Sequence, residues 1–154
     1  MTGKSETQMA AEQLMRAAGQ DVLSSPGEPS RETRLLRANL IFEEAQETIK
    51  ALGFRIMHDP NGTSECHAKV DAMSDYPFNL VEVVDGCCDL NVVVAGCLSA
   101  IGVDDEPVQR EVERSNRSKL LDDGSLPPHP EVAGKFGKGP DYKPPHIAGV
   151  LGLR

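Results

Sequence analysis

The chain has 154 residues and a formal net charge of −8, with 39% hydrophobic residues, only 4% aromatic residues and no Trp. At about 100–200 residues per domain, this is one domain with a modest core. So acidic a chain, so poor in rings, excludes general binding of nucleic-acid backbone, stacking of single-stranded bases and attachment to an anionic membrane. No apolar run approaches the roughly 18–20 residues that span a bilayer, and the first twenty residues hold no signal-peptide core. The expected location is therefore the cytoplasm, with neither nucleic acid nor membrane as a partner.

Glu6 to Gln20 is rich in Ala, Gln, Glu, Leu and Met, which predicts a first helix. Ser24-Ser25-Pro26-Gly27-Glu28-Pro29 breaks it. Ser30 then caps a long helix from Arg31 to about Leu52, stopped by Gly53. Leu36, Leu40, Ile41 and Ala45 fall at helical spacing and predict one inward stripe. Phe54, Ile56 and the turn signal Asp59-Pro60-Asn61-Gly62 fit a short hairpin or an irregular excursion within residues 54–68. Leu80 to Ile101 is strongly apolar and rich in β-branched residues, yet its length of about 20 residues predicts a buried helix, ended by Gly102. Glu106-Pro107 opens a further helix to about Lys119, because Pro is tolerated in a first turn. Beyond Leu120, Pro127, Pro128, Pro130, Pro140, Pro144 and Pro145 forbid regular helix. That segment is a disordered appendage or an ordered arm. The expected architecture is a single all-α domain over 1–154, with a helical body at about 5–119 and an extended Pro/Gly/Lys-rich arm at 120–154.

Cys66, Cys87, Cys88 and Cys97 lack paired CxxC spacing and are read as small apolar core residues. His58, His67, His129 and His146 share no spacing and are read as loop or surface residues.

Charge is unevenly spread. Met1 to Glu113 holds nine basic and twenty acidic residues, whereas Arg114 to Arg154 holds seven basic and four acidic. Two carboxylate clusters stand out in the acidic part. Glu43, Glu44 and Glu47 lie within roughly a 100° arc of one helix. Glu82, Asp85 and Asp89, at offsets of three and seven, share a face of the apolar helix. Two carboxylates about 5 Å apart repel by roughly 3 kcal/mol at an effective dielectric of about 20. Several facing one another require cations, and hard oxygen ligands without His or Cys select Mg²⁺ or Mn²⁺ over zinc. A solvated acidic face is the alternative. Divalent ions in a bundle suit phosphate chemistry, for which Arg114, Asn116, Arg117, Lys119, Lys135, Lys138 and Lys143 supply complementary groups. No GxxxxGK[ST] loop occurs.

These residues resemble the MazG-like all-α nucleoside triphosphate pyrophosphohydrolases, whose signature is EExxE followed by ExxD on a later helix. Glu43-Glu44-x-x-Glu47 matches the first half, and Glu82-x-x-Asp85 matches the second. A second register, counted back from Ile101-Gly102-Val103, puts the metal-binding Asp at Asp89, with Asp85 as the first acid and Gly86 where members carry Glu. Glu111 to Lys119 resembles the EVxRxNxSK segment of phage and mobile-element members, and Gly134 to Pro145 resembles their GKxxKGPxYxPP arm. The resemblance covers about Arg31 to Ile147.

It implies a four-helix bundle that hydrolyses a nucleoside triphosphate between the α and β phosphorus atoms, giving a monophosphate and pyrophosphate. Two or more Mg²⁺ ions, replaceable by Mn²⁺, would be held by Glu44, Glu47, Asp85 and Asp89, with Glu82 as an outer ligand. By position, Glu43 would orient or deprotonate the attacking water. Asn116, Lys119, Lys135, Lys138 and Tyr142 would clamp the phosphates, in cis or across a subunit boundary, and Asn39 would line the substrate pocket. A homo-oligomer is implied, a tetramer or else a dimer. The arm resembles most the MazZ-type phage branch, which converts (d)GTP to (d)GMP and would act in the host cytoplasm. The alternatives are a dUTP or dCTP house-cleaning enzyme, a phosphoribosyl-ATP pyrophosphohydrolase and, of another class, a non-catalytic metal-stabilised helical oligomer.

Overall fold

The computed structural model describes residues 3–59, 68–130 and 134–153. Five helices account for most of these residues, and the fold is all-α with one short antiparallel hairpin. The chain forms two compact units, Glu6–Gly102, and Val103–Arg154 together with Met1–Ser5.

The first unit is built on three helices: α1 (Glu6–Ala17), α2 (Arg31–Ala51) and α3 (Leu80–Ala100). Gln8, Ala11 and Met15 recur at helical spacing on α1 and are buried. Gln8 Nε2 donates to Ser99 Oγ at 3.2 Å, which satisfies both buried groups between α1 and α3. Ser30 caps α2 as its sequence predicts, its hydroxyl accepting from Thr33 N–H at 3.1 Å. Gly53 follows at φ +96°, the left-handed conformation that favours glycine after a helix.

Small residues on α3 set the α2–α3 packing. A Cβ at Gly86 would run into the Thr48 hydroxyl and lie 3.3 Å from Thr48 Cα, while one at Gly96 would lie 2.9 Å from a guanidinium nitrogen of Arg37. Position 86 therefore meets 48 and position 96 meets 37, so the two helices run antiparallel. The inward residues of α2 are accordingly Arg37, Thr48 and Ala51. This corrects the expected stripe: Leu36 is exposed, and Leu40, Ile41 and Ala45 are only half-buried. Two polar side chains face the interior because glycines opposite them leave room.

α3 is not the buried helix that its composition predicts. Against the expectation that no apolar run approaches a bilayer's span, it is long and apolar enough to cross a membrane by length and composition, with a mean hydropathy of 1.5, yet only 28% of that stretch is buried. Leu80 is 63% exposed, Val81 74% and Val84 55%. Cys87 and Cys88 are exposed and Cys97 is half-buried, so these three are not core residues; Cys66 lies outside the described residues. Apolar composition records that a surface needs cover, not that the same chain supplies it.

Between α2 and α3, β1 (Ile56–His58) pairs with β2 (Ala68–Val70) in the register Ile56↔Val70, Met57↔Lys69 and His58↔Ala68. The expected hairpin is present; its turn signal from Pro60 onward, and His67, lie outside the described residues. Asp71 anchors its base, accepting from Arg55 Nε at 2.9 Å and Met73 N–H at 3.0 Å.

In the second unit, α4 (Asp105–Arg117) carries Pro107 in its first turn, one residue later in the helix than predicted, and α5 (Ile147–Val150) is a single turn after the last proline that the sequence did not foreshadow. The described residues between them form an ordered arm. Gly137 N–H donates to Pro127 C=O at 2.9 Å beside a bridge between Pro128 and Phe136, and Gly139 N–H donates to Lys119 C=O at 3.1 Å. Lys143 N–H donates to Ser118 Oγ at 2.9 Å, and Arg114 donates to Pro144 C=O at 3.1 Å. Glu111 completes the attachment, accepting from His146 N–H at 2.7 Å and from Arg114 through both of its oxygens.

Candidate active site

The antiparallel register that Gly86 and Thr48 impose brings the two carboxylate clusters opposite each other. Asp89 on α3 falls level with Glu44 on α2. The Glu44 carboxyl is pushed above the usual carboxylate range, first by partial burial and then by the charges of Asp89, Glu47, Glu43 and Asp85. Five acids of the two helices thus share one field. Glu44 is the half-buried member, whereas Glu43, Glu47, Asp85 and Asp89 are exposed.

Glu82 is not among the charges that act on Glu44, and lines a neighbouring cleft together with Glu47 of that group. Of the two registers read in the sequence, the pair acting on Glu44 is Asp85 with Asp89. At Gly86, which only the second register aligns with a Glu of the family, a side chain would have to move Thr48. Gly86 is a packing residue of the helix pair.

The donor chemistry of this face suits a hard divalent cation: carboxylate oxygens, with the negative field of four neighbouring acids falling on Glu44. Among the described residues, no three His, Cys, Asp or Glu side chains are already gathered into a ligating set. The acids converge in field, and their exposed side chains retain the rotamer freedom to close on an ion.

Two adjoining clefts open beside the acidic face. One, of about 360 Å³, is lined by Glu47, Lys50, Ala51, Tyr76, Pro77, Asn79 and Glu82. The other, of about 280 Å³, shares Glu47, Lys50 and Tyr76 and adds Glu43, Gln46, Phe54, Arg55 and Ile56. Sequence reasoning missed Lys50, Tyr76 and Asn79. The available signal was Tyr76, one of only two tyrosines, placed directly before Pro77 and the helix-capping Asn79. Asn39 is exposed on α2, outside both linings.

The remaining expected substrate ligands belong to the second unit. Lys119 Nζ donates to Asn116 Oδ1 at 2.8 Å, Lys138 lies 4.7 Å from the centre of the Tyr142 ring, and Lys135 is exposed beside the bridging Phe136. The arm's bond from Gly139 to Lys119 draws these pairs together at the end of α4.

A family model described as phosphoribosyl-ATP pyrophosphohydrolase matches residues 11–116. That span takes in both carboxylate clusters and the clefts between them; the arm lies beyond it. The comparison with curated proteins gives no match. The matched description is the one that the sequence resemblance offered as an alternative, and the two readings meet at the fold and the bond cleaved. The chain belongs to the phosphoribosyl-ATP pyrophosphohydrolase family, among the MazG-like all-α nucleotide pyrophosphohydrolases.

Proposed function

We propose that this protein is a metal-dependent nucleotide pyrophosphohydrolase that cleaves the α–β phosphoanhydride of a nucleoside triphosphate, with (d)GTP as its first substrate. The observation that carries this reading is the field on Glu44, in which acids of both helices converge within the family-matched span. Glu44, Glu47, Asp85 and Asp89 hold Mg²⁺ or Mn²⁺, with Glu82 at the edge of the set. The ions supply Lewis acidity toward phosphate oxygens and a more acidic bound water. Glu43, exposed on the same arc of α2, orients the attacking water and accepts its proton. For the departing pyrophosphate, Lys119, Lys135 and Lys138 would supply positive charge and Asn116 and Tyr142 hydrogen bonds, in cis or from another copy of the chain. The (d)GTP preference rests on the resemblance of the arm to the phage-type branch. Phosphoribosyl-ATP is the second reading, and the description of the matched family favours it.

The protein acts as a homo-oligomer, a tetramer in the reading preferred here. Its support is the apolar face of α3: each Val or Leu buried there contributes about 1.5–3 kcal/mol. A lipid environment suits that helix poorly, because an Asp such as Asp85 or Asp89 costs up to about 2.5–3.5 kcal/mol toward a bilayer centre. Another copy of the chain can cover the valines and leave the acids to their cations.

Chromatography of products formed with Mg²⁺ from the eight common nucleoside triphosphates and phosphoribosyl-ATP tests this function. Monophosphate with pyrophosphate from GTP or dGTP is the expected result. The same bond cleaved only in phosphoribosyl-ATP or in a pyrimidine nucleotide replaces the substrate. Diphosphate with orthophosphate rejects the reaction.

A further inference from the structure

The two clefts beside the acidic face meet at Lys50 and Tyr76, and the loop that carries Tyr76 is fixed from both ends. Asn79 N–H donates to Ala51 C=O at 2.9 Å, tying the loop to the end of α2. Gly53, at φ +96°, packs so closely on the Tyr76 carbonyl that a Cβ would lie 2.9 Å from it. Tyr76 thereby lines the 360 Å³ cleft as a residue 45% exposed. That cavity falls within the roughly 300–1,000 Å³ of small-molecule sites, whose usual lining is apolar rings with a few placed polar groups.

We infer that this cleft seats the heterocyclic base of the nucleotide, stacked on Tyr76 and read by the side-chain amide of Asn79; the inference rests on the function proposed above. Two observations decide for a ring over a phosphate. Tyr76 and Pro77 contribute rings to the lining of the cleft, and stacking on an aromatic side chain contributes about 1–3 kcal/mol per base. The Asn79 Oδ1 is committed to the cap of α3, accepting from Val81 N–H at 3.1 Å and Glu82 N–H at 3.3 Å, so its amide group has its N–H donors to offer a ring carbonyl or ring nitrogen. Lys50 and Ala51 follow Glu44 by about two helical turns, roughly 10 Å along α2. That places phosphates on the acidic face and the base in the cleft, on one line.

The chain has two tyrosines, so protein labelled at tyrosine rings gives two ring spin systems by NMR, assigned with Tyr142→Phe. GMP should shift the Tyr76 ring signals by stacking, and pyrophosphate should leave them in place. Tyr76→Ala should raise KM at least tenfold while retaining most of kcat, and Tyr76→Phe, which keeps the ring, should restore KM. Inhibition of turnover by GMP with the Tyr76 signals unmoved, or wild-type KM in Tyr76→Ala, overturns the base site and leaves the reaction standing. No turnover and no binding of any nucleotide overturns the proposed function and the base site with it.

Discussion

Glu44 and Glu111 are two carboxylates shifted in opposite directions, and each makes stability depend on pH with its own sign. At Glu44 the folded pKa is raised, so the native state binds more protons than the unfolded chain just above the ordinary carboxylate range. Metal-free protein should therefore lose stability as pH rises through that range, and Mg²⁺ should restore it. Thermal melts at pH 4 and pH 7.5 check this: Mg²⁺ raises Tm at the higher pH and not at the lower. Glu44→Gln should melt higher than wild type without metal at pH 7.5 and respond less to Mg²⁺. Equal Mg²⁺ responses in the two proteins would count against Glu44 as a ligand. Glu111 is held down to about 2 by hydrogen bonds from Arg114 and His146 N–H, so its contribution is full above the usual carboxylate range and fades as pH falls toward 2. Protection of the His146 amide, taken relative to intrinsic exchange at each pH, should fall across that interval, and Glu111→Gln should show the lowered protection already at neutral pH. That Glu43, Glu44 and Glu47 share one helix face, and Glu82, Asp85 and Asp89 another, was legible in the sequence because helical spacing alone sets it. Which acids of α3 act on Glu44 was not, since that depends on the stagger of two helices.

At the level of elements, that stagger is set by α3 meeting α2 through Gly86 and Gly96. Gly86→Ala places a methyl against Thr48, so the helices must separate or the threonine must move. Overpacking of this kind costs typically 1–3 kcal/mol. Urea unfolding should show a loss in that range, together with weaker Mg²⁺ stabilisation, because Glu44 and Asp89 move apart with the helices. Wild-type stability and metal response in Gly86→Ala would contradict this account of the packing. The caps at Ser30, Gly53 and Gly102 were readable because they follow from local backbone chemistry. The α2 stripe was not. Leu36 resembles a core residue by spacing, but the glycines that admit Arg37 and Thr48 lie some fifty residues away. The arm behaved similarly: its prolines excluded helix between α4 and α5, while its order comes from Glu111, Arg114 and Ser118, which composition does not connect to Lys143, Pro144 and His146.

For the whole molecule, the exposed apolar face of α3 and the acidic face belong to one helix, so assembly and catalysis are tied. Light scattering should give a mass near four times the 16.6 kDa chain. Val81→Asp with Val84→Asp should reduce it to a single chain, and turnover should fall with it. A wild-type monomer that turns over would refute the coupling. The cysteines illustrate why the sequence misled here: Cys87 and Cys88 are buried-type residues by chemistry, and only the structure of the single chain reveals them uncovered. The account as a whole stands on the acids of α2 and α3 acting together on a nucleotide. The most direct test is Mg²⁺-dependent pyrophosphate release by wild type, Asp89→Asn and Glu82→Gln, each first shown to be folded. Asp89→Asn should lose at least a hundredfold in kcat, while Glu82→Gln retains most of it. Full activity in Asp89→Asn, or no pyrophosphate from the wild-type protein with any nucleotide, would contradict the account.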